Sequence, residues 1–227
     1  HYLQAGKFSE GFKLAKWRKV HLHGHMRTLQ PEFDPSKKAN GKRLLIWAEQ
    51  GLGDVVMMLR FVDRMKSVFG FSEVYLEVPD ELYTLCTNNV QNVDYVYVRR
   101  SDGHCPFEFD EHISLMDLPC VLNVTNEEAF NGNEPYITSH PLLKREWENN
   151  IVNACADDKK IKIGVCWKGS SSHANDHNRS MSMHDITPLA NSGTLFGLMK
   201  EVDEKAPDGL TIYNVSAGFV TAEHTAA

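Results

Sequence analysis

One acidic residue, Asp54, comes directly after two closely spaced glycines, Gly51 and Gly53. An apolar run at 43–47 that is typical of a buried strand precedes the glycines, and an apolar pattern at helical spacing follows them. Glycines permit a sharp turn and the close approach of a ligand, and a helix that begins at Asp54 favours a negative charge there. The stretch therefore predicts a strand, a tight turn and a helix that present one carboxylate at the carboxyl edge of a parallel sheet, where such sheets bind ligands.

This turn does not match either of the common phosphate loops. After Gly53 the chain continues as Asp54-Val55-Val56, so the third small residue of the dinucleotide fingerprint is missing. No Gly-Lys-Ser/Thr closes the turn as it does in a P-loop. An ordinary helix N-terminus in an α/β unit remains the alternative interpretation.

A long polar loop, residues 168–180, follows a second apolar strand pattern and carries Lys168 and Arg179 at its two ends. It also contains a run of serines that begins at Ser170. Hydroxyls, backbone amides and a bidentate guanidinium are the groups that bind phosphate oxygens, and loops longer than about 12 residues are often functional. The loop is thus a candidate phosphate-binding site, with a flexible surface loop as the alternative.

The elements that must position these residues alternate between strand and helix, which predicts an α/β fold with parallel sheets. Residues 1–20 predict two helices interrupted at Gly6. Beyond residues 43–47, strands are predicted at 74–78, 93–98, 112–115, 161–167 and 210–215, and helices after residue 80 and at 142–156, 183–189 and 195–204. We predict four segments: a helical repeat-like segment 1–27, a linker 28–42, a first Rossmann-like domain 43–157, and the start of a second, apparently incomplete Rossmann-like domain 158–227.

Composition limits the class of protein. The net charge of −6 gives no basic surface for nucleic acid, and no apolar run approaches the roughly 20 residues that cross a bilayer. Five cysteines, odd in number and without a C-x-x-C pair, are typical of reduced intracellular thiols. The chain starts at His1 without a signal-peptide pattern, so we expect a cytoplasmic protein that is part of a longer one. Alternate histidines at 21–25 can in principle hold a metal, but no carboxylate or cysteine lies close by in the sequence, and a linker is favoured.

Several of these stretches together resemble one family. They are Trp47-Ala48-Glu49-Gln50-Gly51-Leu52-Gly53-Asp54, Val78-Pro79-Asp80-Glu81-Leu82, Ile113-Ser114-Leu115-Met116-Asp117-Leu118-Pro119 and Gly164-Val165-Cys166-Trp167-Lys168-Gly169 with Asn175-Asp176 and Arg179-Ser180. In this order they resemble bacterial proteins in which tetratricopeptide repeats precede a glycosyltransferase of the heptosyltransferase-like (family 9) group. The opening residues 6–12 with Trp17-Arg18 are similar to the last repeat before that domain.

The resemblance implies a GT-B architecture, in which a first Rossmann-like domain holds the acceptor and a second holds the nucleotide-sugar. It implies that Asp54 is the general base and that Gly51 and Gly53 keep the turn open for the acceptor. It also implies that Arg179, with Lys168 and Ser170, neutralises the departing diphosphate. Such enzymes usually need neither a metal nor a further cofactor. The chain departs from the family at Lys168 and the serine run, and it ends before the family's acidic donor-binding segment.

The leading hypothesis is therefore a metal-independent, inverting glycosyltransferase that acts on a saccharide or protein acceptor. The alternative is a non-catalytic GT-B-like interaction module that docks a protein partner through its N-terminal helices. A nucleotide-binding protein of another α/β class is a third hypothesis, disfavoured because both phosphate-loop fingerprints are missing. The sequence leaves open the sugar, the nucleotide base, the acceptor and the oligomeric state.

Overall fold

The computed structural model describes residues 1–21, 30–129, 135–155, 159–169, 174–199, 205–215 and 222. The chain divides into two compact units, His1–Thr138 and Ser139–Ala227. The domain boundary predicted at 157/158 and the histidines after position 21 lie outside the described residues. Among the described helices, none has both the length and the apolar character needed to cross a membrane.

The first unit begins with short helices. They are a 3-10 helix at Leu3–Ala5, α1 at Phe8–Ala15 and a 3-10 helix at Lys16–His21. Gly6 ends the first turn in the left-handed conformation, with φ of 72°, which an L side chain rarely adopts. The predicted interruption at Gly6 is therefore confirmed. Gly11 and Phe12 form the buried face of α1.

A four-stranded parallel sheet forms the centre of the first unit. Its strands are β1 at Arg43–Trp47, β2 at Glu73–Val78, β3 at Tyr95–Val98 and β4 at Glu111–Ser114, in the order β3-β2-β1-β4. Leu44 in the central strand β1 pairs with Val74 on one side and Glu111 on the other. Because β1 is covered on both faces, its apolar residues run without alternation, as the sequence indicated.

Helices lie between these strands and after the last of them. They are α2 at Leu52–Leu59, α3 at Asp63–Phe69, α4 at Tyr83–Asn89 and α5 at Leu118–Val121, with 3-10 turns at Asp80–Leu82, Leu115–Asp117 and Glu127–Ala129. Helix α2 begins at Leu52, between the two glycines and two residues before the predicted start at Asp54. Val55, Met58 and Leu59 form its buried face.

The second unit contains a three-stranded parallel sheet. Its elements are α6 at Pro141–Ala154, β5 at Ile161–Val165, a 3-10 turn at Asp176–Asn178, α7 at Met183–Ile186, a 3-10 helix at Thr187–Asn191, β6 at Gly193–Gly197 and β7 at Ile212–Asn214. The strand order is β5-β6-β7. Trp167, Met183 and Leu195 lie in its apolar core. With two parallel sheets and connecting helices, the predicted α/β class is confirmed.

The helix predicted at 195–204 is wrong at its start, because Gly193–Gly197 forms the central strand β6. Periodicity cannot distinguish a short apolar run from a buried helix, and the deciding features lie in the flanks. Gly193 and Gly197 disfavour a helix, whereas Thr194 and Phe196 are typical strand residues. All five residues of β6 are buried, as expected for a central strand.

A substitution at Gly193 tests the close packing of β6 against β5 in the second sheet. A Cβ at this position would overlap the carbonyl oxygen of Ile161 in β5, and this backbone atom cannot turn away. We expect Gly193→Ala to lower the free energy of unfolding of the second unit by about 2 kcal/mol or more. The measurement is urea unfolding together with hydrogen exchange of the β5 amides.

Gly164→Ala in β5 is the matched control. Its Cβ would meet only the side chain of Leu198, whose nearest atom lies at 2.8 Å and can move. Equal destabilisation by both variants would contradict the packing of β6 on β5.

Candidate functional site

The turn between β1 and α2 carries the predicted acid. Gly51 is the N-cap of α2, and Oδ2 of Asp54 accepts a hydrogen bond from the Gly51 backbone N–H at 3.0 Å. Asp54 is half-buried and is the third residue of the helix. Its other oxygen, Oδ1, makes no hydrogen bond to any part of the chain that the structure describes. Asp54 thus fixes the turn through Oδ2.

The sharp turn depends on Gln50 rather than on the glycines. Gln50 has φ of 67°, in the left-handed region, whereas Gly51 is extended with φ of −79° and ψ of 167°. Among the described residues, no atom lies within 4 Å of a Cβ built on Gly53, and only the Asp54 carboxylate, at 3.3 Å, lies near one built on Gly51. The described residues therefore leave open space beside the two glycines, whose role toward an acceptor stays a prediction.

A cluster of buried charges, which no local sequence pattern predicts, lies beside this turn. Arg18 donates to Oδ1 of Asp117 at 2.8 Å and to Oγ of Ser114 at 3.1 Å, and it forms a short ion pair with Glu49. Ser114 donates to Glu49 and accepts a hydrogen bond from the N–H of Met116. Asp117 is also paired with Lys19, whose second acidic partner is Glu32. Glu49 and Asp117 expose only 6% and 1% of their surface.

The position of this cluster in the sheet is informative. Glu49 follows β1, and Ser114 ends β4. In the strand order β3-β2-β1-β4, β2 and then β3 are added on one side of β1, and β4 is added on its other side. The topological switch point therefore lies between β1 and β4. Open α/β sheets bind ligands in the crevice at this point. Arg18, from the N-terminal helices, binds to the residues on both sides of it.

The two cations of the cluster have raised pKa values. Burial on its own lowers the pKa of Arg18, but the hydrogen bond to Glu49 and the charge of Asp117 outweigh it. For Lys19, burial is outweighed in the same way by the hydrogen bonds to Asp117 and Glu32. Both side chains therefore stay positively charged and compensate the buried acids.

The second candidate site is the polar loop after β5. Trp167 is buried, and the Sδ of Met199 accepts hydrogen bonds from the backbone N–H groups of Trp167 and Lys168, both at 3.4 Å. The loop closes on itself where Gly169 N–H donates to Oγ of Ser180 at 3.0 Å. Its two ends, which carry Lys168 and Arg179, are therefore held together.

Arg179 lies directly against Gly169. A Cβ at Gly169 would overlap the guanidinium group, so only glycine leaves room for it. Nε of Arg179 pairs with Oδ1 of Asp176 at 3.3 Å, and Ser180 donates to the same oxygen at 2.7 Å. The side chain of Arg179 keeps 44% of its surface exposed. Ser170 lies outside the described residues.

The structure thus places the predicted residues in two groups. Asp54, Gly51 and Gly53 lie together in the first unit, and Lys168 and Arg179 in the second. Their roles in binding and catalysis stay predictions. In the described ranges, no three His, Cys, Asp or Glu residues are grouped as metal ligands.

Comparison with known proteins shows a similarity of fold. No family model matches the chain, and no curated protein matches it. The chain is similar to the crystal structure of the glycosyl transferase family 9 from Veillonella parvula DSM 2008, with 11% sequence identity and a TM-score of 0.47. The similarity covers 74% of this chain and 64% of that one. This similarity is one of backbone fold, and it identifies neither a sugar donor nor an acceptor for this chain.

The charge cluster makes a stability prediction. Arg18→Met leaves Glu49 and Asp117 buried without their shared cation, which costs about 3–5 kcal/mol when a buried pair loses one partner. We expect a loss of this order in the free energy of unfolding of the first unit, measured by urea titration.

Lys13→Met is the control, because Lys13 is an exposed cation on α1. Changing both acids to amides, Glu49→Gln and Asp117→Asn, is expected to restore part of the loss in Arg18→Met. An Arg18→Met protein as stable as the Lys13→Met protein would contradict the role of the cluster.

Proposed function

We propose that this chain belongs to a glycosyltransferase that moves a sugar from a nucleotide-sugar to a hydroxyl of a saccharide or protein acceptor, with inversion. The observation that carries the proposal is the carboxylate of Asp54 at the carboxyl edge of a doubly wound parallel sheet. One of its oxygens is fixed by Gly51 and the other has no partner in the described chain, beside open space at Gly53. The motifs that resemble family 9 glycosyltransferases support the same proposal.

In the proposed reaction, the first unit holds the acceptor. Oδ1 of Asp54 takes the proton of the acceptor hydroxyl while that oxygen attacks the anomeric carbon of the donor. The bond from the anomeric carbon to the diphosphate oxygen breaks in the same displacement, which inverts the configuration. The hydrogen bond from Gly51 N–H and the start of α2 favour the negative charge that the base needs.

The second unit holds the donor in this proposal. The exposed guanidinium of Arg179 and the ammonium of Lys168 neutralise charge on the leaving diphosphate, with Ser170 as a further donor. The proposal needs no cofactor besides the nucleotide-sugar. The pairing of Arg179 with Asp176 orients the guanidinium before a ligand arrives, so less side-chain entropy is lost on binding.

The donor role of Arg179 is tested by thermal shift with UDP-, GDP-, ADP- and CMP-sugars. A ligand that binds only the folded protein raises its melting temperature. We expect one sugar nucleotide to give a shift, and we expect Arg179→Ala to weaken its binding about tenfold or more, the effect of losing charge-assisted hydrogen bonds. Gly169→Ala, which displaces the guanidinium without removing it, is expected to weaken binding in the same direction.

Arg145→Ala is the control, because Arg145 is an exposed arginine of the same unit on α6. No shift with any sugar nucleotide would favour the alternative of a non-catalytic interaction module. Equal affinity of the wild-type and Arg179→Ala proteins would reject the phosphate role of Arg179.

A further inference from the structure

A short segment, residues 30–33, lies along the outer edge of β4 in the first unit. The backbone N–H of Phe33 donates to the carbonyl of His112 at 2.8 Å, and the N–H of His112 donates to the carbonyl of Pro31 at 3.1 Å. Glu32 therefore lies opposite His112 in a parallel bridge. The side chain of Phe33 is buried. Both backbone groups of His112 thus hold the 30–33 segment on the sheet.

The imidazole of His112 adds two side-chain hydrogen bonds at the same place. Its Nδ1 accepts a hydrogen bond from the indole Nε1–H of Trp47 in β1 at 3.2 Å. Its other ring nitrogen donates to the backbone carbonyl of Gln30, at the start of the segment. An indole N–H only donates, so Nδ1 carries no proton and the ring is neutral. One tautomer of His112 therefore joins β1, β4 and the 30–33 segment.

The surroundings of His112 keep the ring neutral. Burial lowers the pKa of His112 below its ordinary value of 6.5. Among the charged groups of the described residues, only Glu32 and Lys19 act on the ring, and Glu32 raises its pKa whereas Lys19 lowers it. Glu32 and Lys19 pair with each other at 2.6 Å, and Lys19 is also paired with Asp117 in the charge cluster. The segment is therefore tied to the N-terminal helices through Lys19.

Protonation of His112 is incompatible with these contacts. A proton on Nδ1 places two N–H donors against each other, and it buries a positive charge. The ring regains an acceptor only by turning away from Trp47, and this movement also breaks its hydrogen bond to the carbonyl of Gln30. The new charge attracts Glu32 and repels Lys19, so it weakens the ion pair between them.

We propose that His112 is a pH-sensitive latch for the 30–33 segment. The neutral ring holds the segment against β4 and leaves Glu32 to Lys19. The protonated ring releases its two hydrogen bonds and competes with Lys19 for Glu32, so the segment separates from the sheet while the four strands stay paired. The attachment of the N-terminal helices through Lys19 is weakened in the same step. This latch is independent of the proposed glycosyltransferase activity.

Hydrogen exchange of two backbone amides measures the latch. The N–H groups of Phe33 and His112 form the bridge, and the N–H of Arg99, which donates to Val78 at 2.8 Å on the opposite edge of the sheet, is the internal reference. We expect the protection factors of the two bridge amides to fall about tenfold or more between about pH 7.5 and pH 5, since one pKa unit is a factor of ten. The reference amide is expected to change little.

The direction of this effect follows from the lowered pKa of His112. The released ring binds a proton more readily than the latched ring does, so the stabilising contribution is complete above the ordinary pKa of about 6.5 and is lost as the pH falls below it. The indole N–H signal of Trp47, assigned with Trp47→Phe, is expected to shift over the same pH range in nitrogen-15 spectra.

Substitutions of His112 separate titration from packing. His112→Asn retains an acceptor for Trp47 but does not titrate, so its bridge amides are expected to have the same protection at both pH values. His112→Phe offers no acceptor, and its bridge amides are expected to be weakly protected at both. His104→Asn is the matched control, because His104 is an exposed histidine of the same unit. It is expected to keep the wild-type pH dependence, and melting temperatures verify that each variant is folded.

Three outcomes would overturn the proposal. The first is wild-type bridge amides that stay protected at pH 5, or that lose protection together with Arg99 because the whole sheet unfolds. The second is a His112→Asn protein with the wild-type pH dependence. The third is a loss of bridge protection without a change in the Trp47 indole signal, because a group other than His112 would then titrate.

Discussion

The geometry of the first unit depends on one cation, Arg18, held between two buried carboxylates. Glu49 leaves β1 and Asp117 follows β4, so the guanidinium connects the two strands that flank the switch point of the sheet. Without a shared cation, two carboxylates this deeply buried would repel each other and lose their hydration. Arg18 therefore links the N-terminal helices to the carboxyl edge of the sheet. These helices also leave an apolar cavity between themselves and α2.

The pattern of the sequence is sufficient to predict every described strand except β6, and most of the helices. β1 is a nearly continuous apolar run, and β2 is one that only Glu77 interrupts, which is the signature of a buried parallel strand. The helix predicted from residue 195 overlaps the end of β6, because a short apolar run carries too little periodicity to exclude a helix. The helix start was placed at Asp54 because an acid is a frequent cap, whereas Gly51 takes that position and Asp54 binds back to it.

The charge cluster could not be predicted, for a different physical reason. Arg18 is separated by 31 residues from Glu49 and by 99 residues from Asp117. No local pattern specifies such pairs, because they form only after the sheet and the N-terminal helices have packed. The close approach of Arg179 to Gly169 is of the same kind, although the loop that carries both was identified from its composition. Local sequence thus predicts the helix, strand or loop on which each of these residues lies. Their hydrogen-bond and ion-pair partners are determined by tertiary packing.

The most direct test of the account is the release of nucleoside diphosphate from the sugar nucleotide that binds, with acceptor present, by the wild-type and Asp54→Asn proteins. Asp63→Asn is the control, because Asp63 is an acid at the start of the next helix of the same unit. The account predicts that Asp54→Asn lowers the rate by about 10²–10⁴, the contribution of a general base, while sugar-nucleotide affinity and the Asp63→Asn rate stay near wild-type values. Release by Asp54→Asn at the wild-type rate would contradict the account, because the carboxylate at the sheet edge would then have no part in the transfer.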